Sequence, residues 1–217
     1  MKANKRLFIK LIFLLSLSFS TVIITSCYPE FMHPIPPPKQ LNPDSKILGL
    51  WFRTTENDKQ QLSIFPRKNG WVDIVYVYDI NSKTSEDGIN ILVFEGYTTF
   101  VEEKKFLCFR PRSKDYNKLY NKVREKFSFI IVNYYVSDEG NLIVKHLSTD
   151  KIINLVNNGQ LKGQVYKKNP NEGRFNDSVK VESSSDDLLK VICKKGTCAF
   201  LDESEQDTML FSRDQIW

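Results

Sequence analysis

From Lys46 onward the chain is a series of short apolar runs cut by turn-forming pairs, and this punctuation narrows the accessible folds more than any other feature. Asn69-Gly70, Asp87-Gly88 and the "DEGN" stretch from Asp138 to Asn141 supply residues that tolerate the positive backbone dihedrals of tight hairpins. Between them, strands are expected over residues 47–53, 61–65, 71–78, 89–101, 105–110, 127–137 and 141–147. Strands joined this way form an antiparallel meander. Abundant Phe, Tyr, Val and Ile point the same way, toward a mainly β fold rather than a helix bundle.

Two of the expected strands are apolar on both faces. In "WVDIVYVY" Val72, Ile74, Tyr76 and Tyr78 alternate with Trp71, Val75 and Val77, and in "FSFIIVNYYV" only Ser128 and Asn133 interrupt the apolar run. A strand of this kind needs cover on both sides. In a small barrel or half-barrel the inner face fills a core or lines a cavity, while a helix covers the outer one. Two short helices are available. "TDKIINLVNNG" offers Ser148 or Thr149 as N-cap, a stripe of Ile152, Ile153 and Val156, and Gly159 as its stop. "SSDDLLKVICKKG" offers a serine cap, acids in the first turn, the stripe Leu188, Leu189 and Ile192, and Gly196 after two lysines. "LKGQVYKK", "VKVES" and "DTMLFSR" are further expected strands, the last closing the sheet.

The N-terminus carries a different signal. Lys2, Lys5, Arg6 and Lys10 precede the apolar run "LIFLLSLSFSTVII", with no acid among them. A membrane-spanning helix needs about 20 apolar residues, so this shorter run reads as a removable signal of residues 1–26. The tetrapeptide "ITSC", Ile24 to Cys27, resembles the bacterial lipobox: an aliphatic residue, two small ones and a cysteine. That resemblance implies acylation of Cys27, cleavage before it, and attachment to the membrane through two or three chains. Each buried CH₂ contributes about 0.8 kcal/mol, so several chains hold almost permanently where one does not. Tyr28 stands where an aspartate would imply retention in the inner membrane, so the resemblance implies the periplasmic face of the outer membrane. Residues 27–45, rich in proline, are expected to be an extended tether of about 3.1 Å per residue, and residues 46–217 a single β-rich domain.

The formal charge of +5 loses most of its meaning once the leader is set aside. Four of the 31 basic residues precede Cys27 and none of the 26 acidic ones do, which leaves 27 basic residues against 26 acidic. No excess remains to steer a polyanion, so nucleic acid is not an expected partner. The strongest basic and aromatic interleaving, residues 110–127, reads as solvated surface.

Candidates for chemistry are few. His33 lies in the expected tether, and His146, in "LIVKHLS", reads as a half-buried strand residue. No metal-ligand spacing, phosphate loop or nucleophile motif is present, and the paired carboxylates sit at turns and helix starts, so no cofactor, no metal and no catalytic residue is expected. Cys193 and Cys198 in "ICKKGTC" form a candidate disulfide closing a short loop, and Cys108 reads as a buried thiol.

In "KILGLWFR", Gly49-Leu50-Trp51 resembles the GxW element that opens lipocalins and related calycin barrels. The resemblance implies that Gly49 permits a close approach, that Trp51 plugs the closed end, and that a basic residue of the last strand, Arg213, packs on its ring. The segment "LKGQVYKKNPNEGRFNDSVKVESSSDDLLKVI" also resembles uncharacterised β-rich bacterial lipoproteins. The expectation is a non-enzymatic, membrane-anchored envelope lipoprotein that binds an apolar ligand, such as a lipid, or scaffolds an envelope protein. A pure protein-interaction module without a cavity is the alternative, and an enzyme of unrecognised type comes third.

Overall fold

Hairpin chemistry builds the molecule as its turns demand. Gly70 and Gly140 take positive φ (78° and 82°), and the backbone bonds of Gly70 to Arg67 and of Gly140 to Ser137, each 3.0 Å, close the two turns. The computed structural model describes residues 28–55, 59–78, 90–112, 128–168, 177–197, 200–201 and 208–213. In chain order the strands and helices are β1 (Glu30–Phe31), β2 (Gly49–Thr54), β3 (Lys59–Pro66), β4 (Val72–Tyr78), β5 (Asn90–Val101), β6 (Lys104–Pro111), β7 (Ile130–Val136), β8 (Leu142–His146), α1 (Thr149–Asn157), β9 (Gly163–Tyr166), β10 (Ser178–Val181), α2 (Ser185–Lys195) and β11 (Thr208–Phe211). Asp87-Gly88 lies outside the described residues.

Strands β2 to β8 form an unbroken antiparallel meander, and β11 joins beside β8 to complete an eight-stranded sheet. Twist and coiling bring its two edges together. Phe52 and Ser212 exchange two backbone bonds of 2.7 and 2.8 Å, a single bridge between β2 and the residue after β11. The result is a nearly closed, calycin-like barrel. Eight strands leave an interior just wide enough to be filled by side chains or to hold one small ligand.

The residues of the GxW element lie at one end of this barrel. Trp51 is fully buried, and its indole N–H donates to the carbonyl of Ile47 at 2.7 Å. The guanidinium of Arg213 stands 4.3 Å from the Trp51 ring centroid and donates to the carbonyls of Lys46 and Leu48, the contact that the GxW resemblance calls for. Gly49 holds φ at 115°, and a Cβ there would lie 3.2 Å from Arg213 Nη1. The positive φ favours glycine here, and Arg213 would have to yield slightly to any side chain. Asp44 completes this end: its carboxylate pairs with Lys105 Nζ at 2.6 Å and accepts from the Tyr134 hydroxyl at 3.3 Å.

The doubly apolar strands are covered on both sides. Ile130, Val132 and Tyr134 of β7 belong to the barrel interior, whereas Phe129 and Ile131 belong to a second core outside it. There α1 and α2 press Ile152, Ile153, Leu155, Leu188 and Ile192 toward Phe106, Cys108 and Ile131. Ser148 and Ser184 cap the two helices, accepting from the amides of Lys151 and Asp187. On α1 Leu155 is buried beside Ile152 and Ile153, and Val156 packs only at the margin. A small sheet in the order β1-β10-β9, with β1 parallel to β10, closes this side.

The proline-rich segment departs from the expected extended tether. Phe31 and Ile35 are 0% and 1% exposed, so the segment contributes to the outer core instead of lifting a domain away from a membrane. Phe31 exchanges backbone bonds of 2.9 and 2.7 Å with Phe129. Proline leaves carbonyls without local partners, and β5 supplies them: the Tyr97 hydroxyl donates to Ile35 O and the Thr99 hydroxyl to Pro36 O. Leu41 lies so close over Gly70 that any side chain there would collide with its backbone. Two buried apolar side chains outweigh the stiffness of their proline neighbours.

Outside the barrel, Glu95 accepts from Arg110 (2.8 and 3.0 Å) and Arg67 (2.9 Å). Burial acts to raise its carboxyl pKa, but the hydrogen bonds and charges of the two arginines win and hold it below the ordinary value. Arg110 also lies over Trp71 and Phe129. The first residue of the basic stretch is thus bound into the fold, and residues 113–127 lie outside the described residues.

Candidate functional site

Alternation along each strand sends every second side chain inward, and around the middle of this barrel those side chains do not fill the space. A cavity of about 280 Å³ remains, to which all eight strands of the sheet contribute. Leu62, Ile74, Phe94, Leu107, Val132 and Phe211 form much of its apolar wall. Such a volume lies just below the usual range of small-ligand pockets, which are likewise mostly apolar with few polar groups.

Those polar groups gather at one end. Trp51 and Asp44 occupy the end where β2 begins, whereas Arg53, two residues further along the same inward face of β2, reaches the other part of the interior. Arg53 pairs in register with Gln60 of β3, and its Nη1 approaches Gln60 Oε1 at 3.4 Å. His146 ends β8 on the face shared by Leu142 and Val144, all three buried. Tyr28 covers it, the two rings stacked with centroids 3.8 Å apart and 20° between their planes.

His146 is only 7% exposed, and neither ring nitrogen has a hydrogen-bond partner among the described residues. A buried polar atom left unsatisfied costs about 1–3 kcal/mol, so an orphan of this kind inside a cavity calls for an explanation. Burial, and secondarily the charge of Arg53, push the imidazole pKa down from 6.5 to about 4. At neutral pH the ring is uncharged, with one nitrogen able to donate and the other to accept. The reading of His146 as a half-buried strand residue is therefore corrected. It sits inside the barrel because the alternation that buries Leu142 and Val144 carries through it.

Among the described residues, the wall offers this histidine no nucleophile or carboxylate as a partner. Among the described residues lining the cavity there is no serine, threonine, cysteine or carboxylate, and among the described residues no cluster of His, Cys, Asp and Glu is arranged to hold a metal ion. Cys108 is fully buried in the outer core, where burial above all pushes its thiol up to about 12. Cys193 is an exposed free thiol on α2, and Cys198, its expected disulfide partner, lies outside the described residues. Cys27 lies outside them as well. No described helix is long and apolar enough to cross a membrane.

Sequence reasoning passed over Arg53 and Gln60, and weighed His146 only as a half-buried strand residue. A signal was present for the first: inward alternation from Trp51 places Arg53 inside. A cationic side chain two positions after a fully buried tryptophan is unusual in a filled core, where charges are rarely buried unless paired. Comparison with family models, with curated proteins and with solved structures finds no match to this chain.

Proposed function

We propose that this chain is a non-enzymatic lipoprotein of the bacterial envelope, held through Cys27 at the periplasmic face of the outer membrane, whose barrel carries an apolar ligand. The observation that carries the reading is the cavity of about 280 Å³ with its largely apolar wall. It favours ligand binding over a purely scaffolding role, because a barrel built only to dock a partner gains stability from a filled interior. Absence of a nucleophile or carboxylate beside His146, among the described lining residues, favours binding over catalysis.

The anchor and the cavity are adjacent. Tyr28, which follows Cys27 directly in the chain, is itself part of the cavity wall. Acylation of Cys27 sets the acyl chains one residue from the polar end of the barrel, so the site lies at the bilayer surface. A ligand leaving the membrane then has no aqueous distance to cross. The test is native mass spectrometry of the mature protein purified from bacterial membranes, with solvent extraction of the same sample. One co-purifying small amphiphile per chain is expected; a protein that carries only its own acyl chains, under conditions that preserve other lipid complexes, overturns the ligand reading.

A further inference from the structure

The polar end of the cavity indicates what kind of ligand belongs there; this step rests on the ligand reading and specifies it. Among the described residues lining the cavity, Arg53 is the only Lys, Arg, Asp or Glu. No described carboxylate stands within ion-pair distance of it, and its contact with Gln60 at 3.4 Å is long for a hydrogen bond. His146 adds two unpartnered ring nitrogens in the same wall. A wholly apolar occupant would leave these polar groups unsatisfied against hydrocarbon, and a cationic head would be repelled by the guanidinium. An anionic head satisfies the guanidinium and the imidazole N–H together. Guanidinium and carboxylate match in a planar fork, and imidazole N–H supplies a further donor.

We infer that the barrel takes a single-chain carboxylate amphiphile, its head held between Arg53 and His146 under the ring of Tyr28 and its tail along Leu107, Val132 and Phe94. The volume selects one chain. A phospholipid with two long acyl chains exceeds a space of about 280 Å³, whereas one medium-length chain fits.

Decanoate and decanol share a tail and differ in the head, and this makes them the probes. The mature protein in phosphatidylcholine nanodiscs, freed of co-purifying amphiphile, is titrated with each, and uptake by empty nanodiscs is subtracted. Decanoate is expected to bind at least about tenfold more tightly than decanol, the factor that one charge-assisted hydrogen bond supplies. In Arg53→Gln the ratio falls to within about twofold of one. Arg53→Lys, which restores the charge, recovers part of it, and His146→Gln lowers it; near-ultraviolet circular dichroism checks that each variant is folded. Equal binding of the two probes to the wild-type protein overturns the carboxylate assignment while leaving the apolar cavity standing. Saturable binding of neither probe overturns both.

Discussion

Acid should weaken this fold through one side chain before any carboxylate titrates. His146 is uncharged in the native state because its burial and the charge of Arg53 hold its pKa at about 4, against 6.5 when exposed in the unfolded chain. A group whose pKa is depressed by folding binds its proton more readily in the unfolded state. Its neutral form thus supports the fold fully above pH 6.5, and that support drains away as pH falls toward 4. At about 1.4 kcal/mol per unit, the whole displacement amounts to about 3 kcal/mol, of which about 2 kcal/mol is gone by pH 5. Asp44 and Glu95, whose carboxyl pKa values are lowered by their partners, lose their contributions only below about pH 4.5, outside this window. Urea unfolding of the wild type and of His146→Phe at several pH values between 7.5 and 5 isolates the effect. Wild-type stability should fall by about 2 kcal/mol more than that of the variant across this range. Phenylalanine also removes the orphaned nitrogens, so the variant should be at least as stable as wild type at pH 7.5. Parallel stability profiles, within about 0.5 kcal/mol of each other, would refute the placement of a buried, unpartnered imidazole in the barrel.

Three other perturbations test separate parts of the structure. Phe31→Ala removes a fully buried ring from the proline-rich segment and should cost about 3–5 kcal/mol in urea unfolding; an unchanged midpoint would restore the free tether that the sequence suggested. Gly49→Ala forces a side chain into a φ of 115° and against Arg213, with an expected loss of about 1–3 kcal/mol, and a thermal melt indistinguishable from wild type would contradict the positive φ at Gly49. Cys27→Ala should accumulate as an unprocessed precursor without lipid in intact-mass analysis of membrane fractions, and normal maturation of that variant would remove the anchor from the proposal.

The fold was legible in the sequence to the extent that its causes are local. Asn69-Gly70 and the turn at Gly140 fix two hairpins, alternation sets the faces of β4 and β7, and serine caps with terminal glycines delimit α1 and α2; each cue acts within a few residues. Even the contact between Arg213 and Trp51 was anticipated, though through the resemblance of three residues to a family rather than from spacing. What could not be read was non-local. Whether an eight-stranded barrel is hollow depends on the summed volumes of inward side chains from all its strands and on how tightly β2 and β11 close, quantities that no single segment contains. The packing of Phe31 and Ile35 was masked for a similar reason. Six prolines set the local conformational preference of the segment, but the outer core of α1, α2 and β5 to β7 determines where it lies. His146 looked ordinary because its distinguishing feature is the lack of partners around it, and partners are visible only in three dimensions.

Filling the cavity tests the whole reading at once. Val132 and Val144 lie on the neighbouring strands β7 and β8, both in the wall, and Val144→Trp would occupy much of the space that a ligand needs. Saturable, one-to-one binding of an uncharged, environment-sensitive apolar fluorophore to the mature protein in nanodiscs, lost in a folded Val144→Trp variant, is the predicted result. Binding of the fluorophore with equal affinity by the filled barrel, or no saturable binding by the wild type, would contradict the view that this barrel exists to hold a ligand.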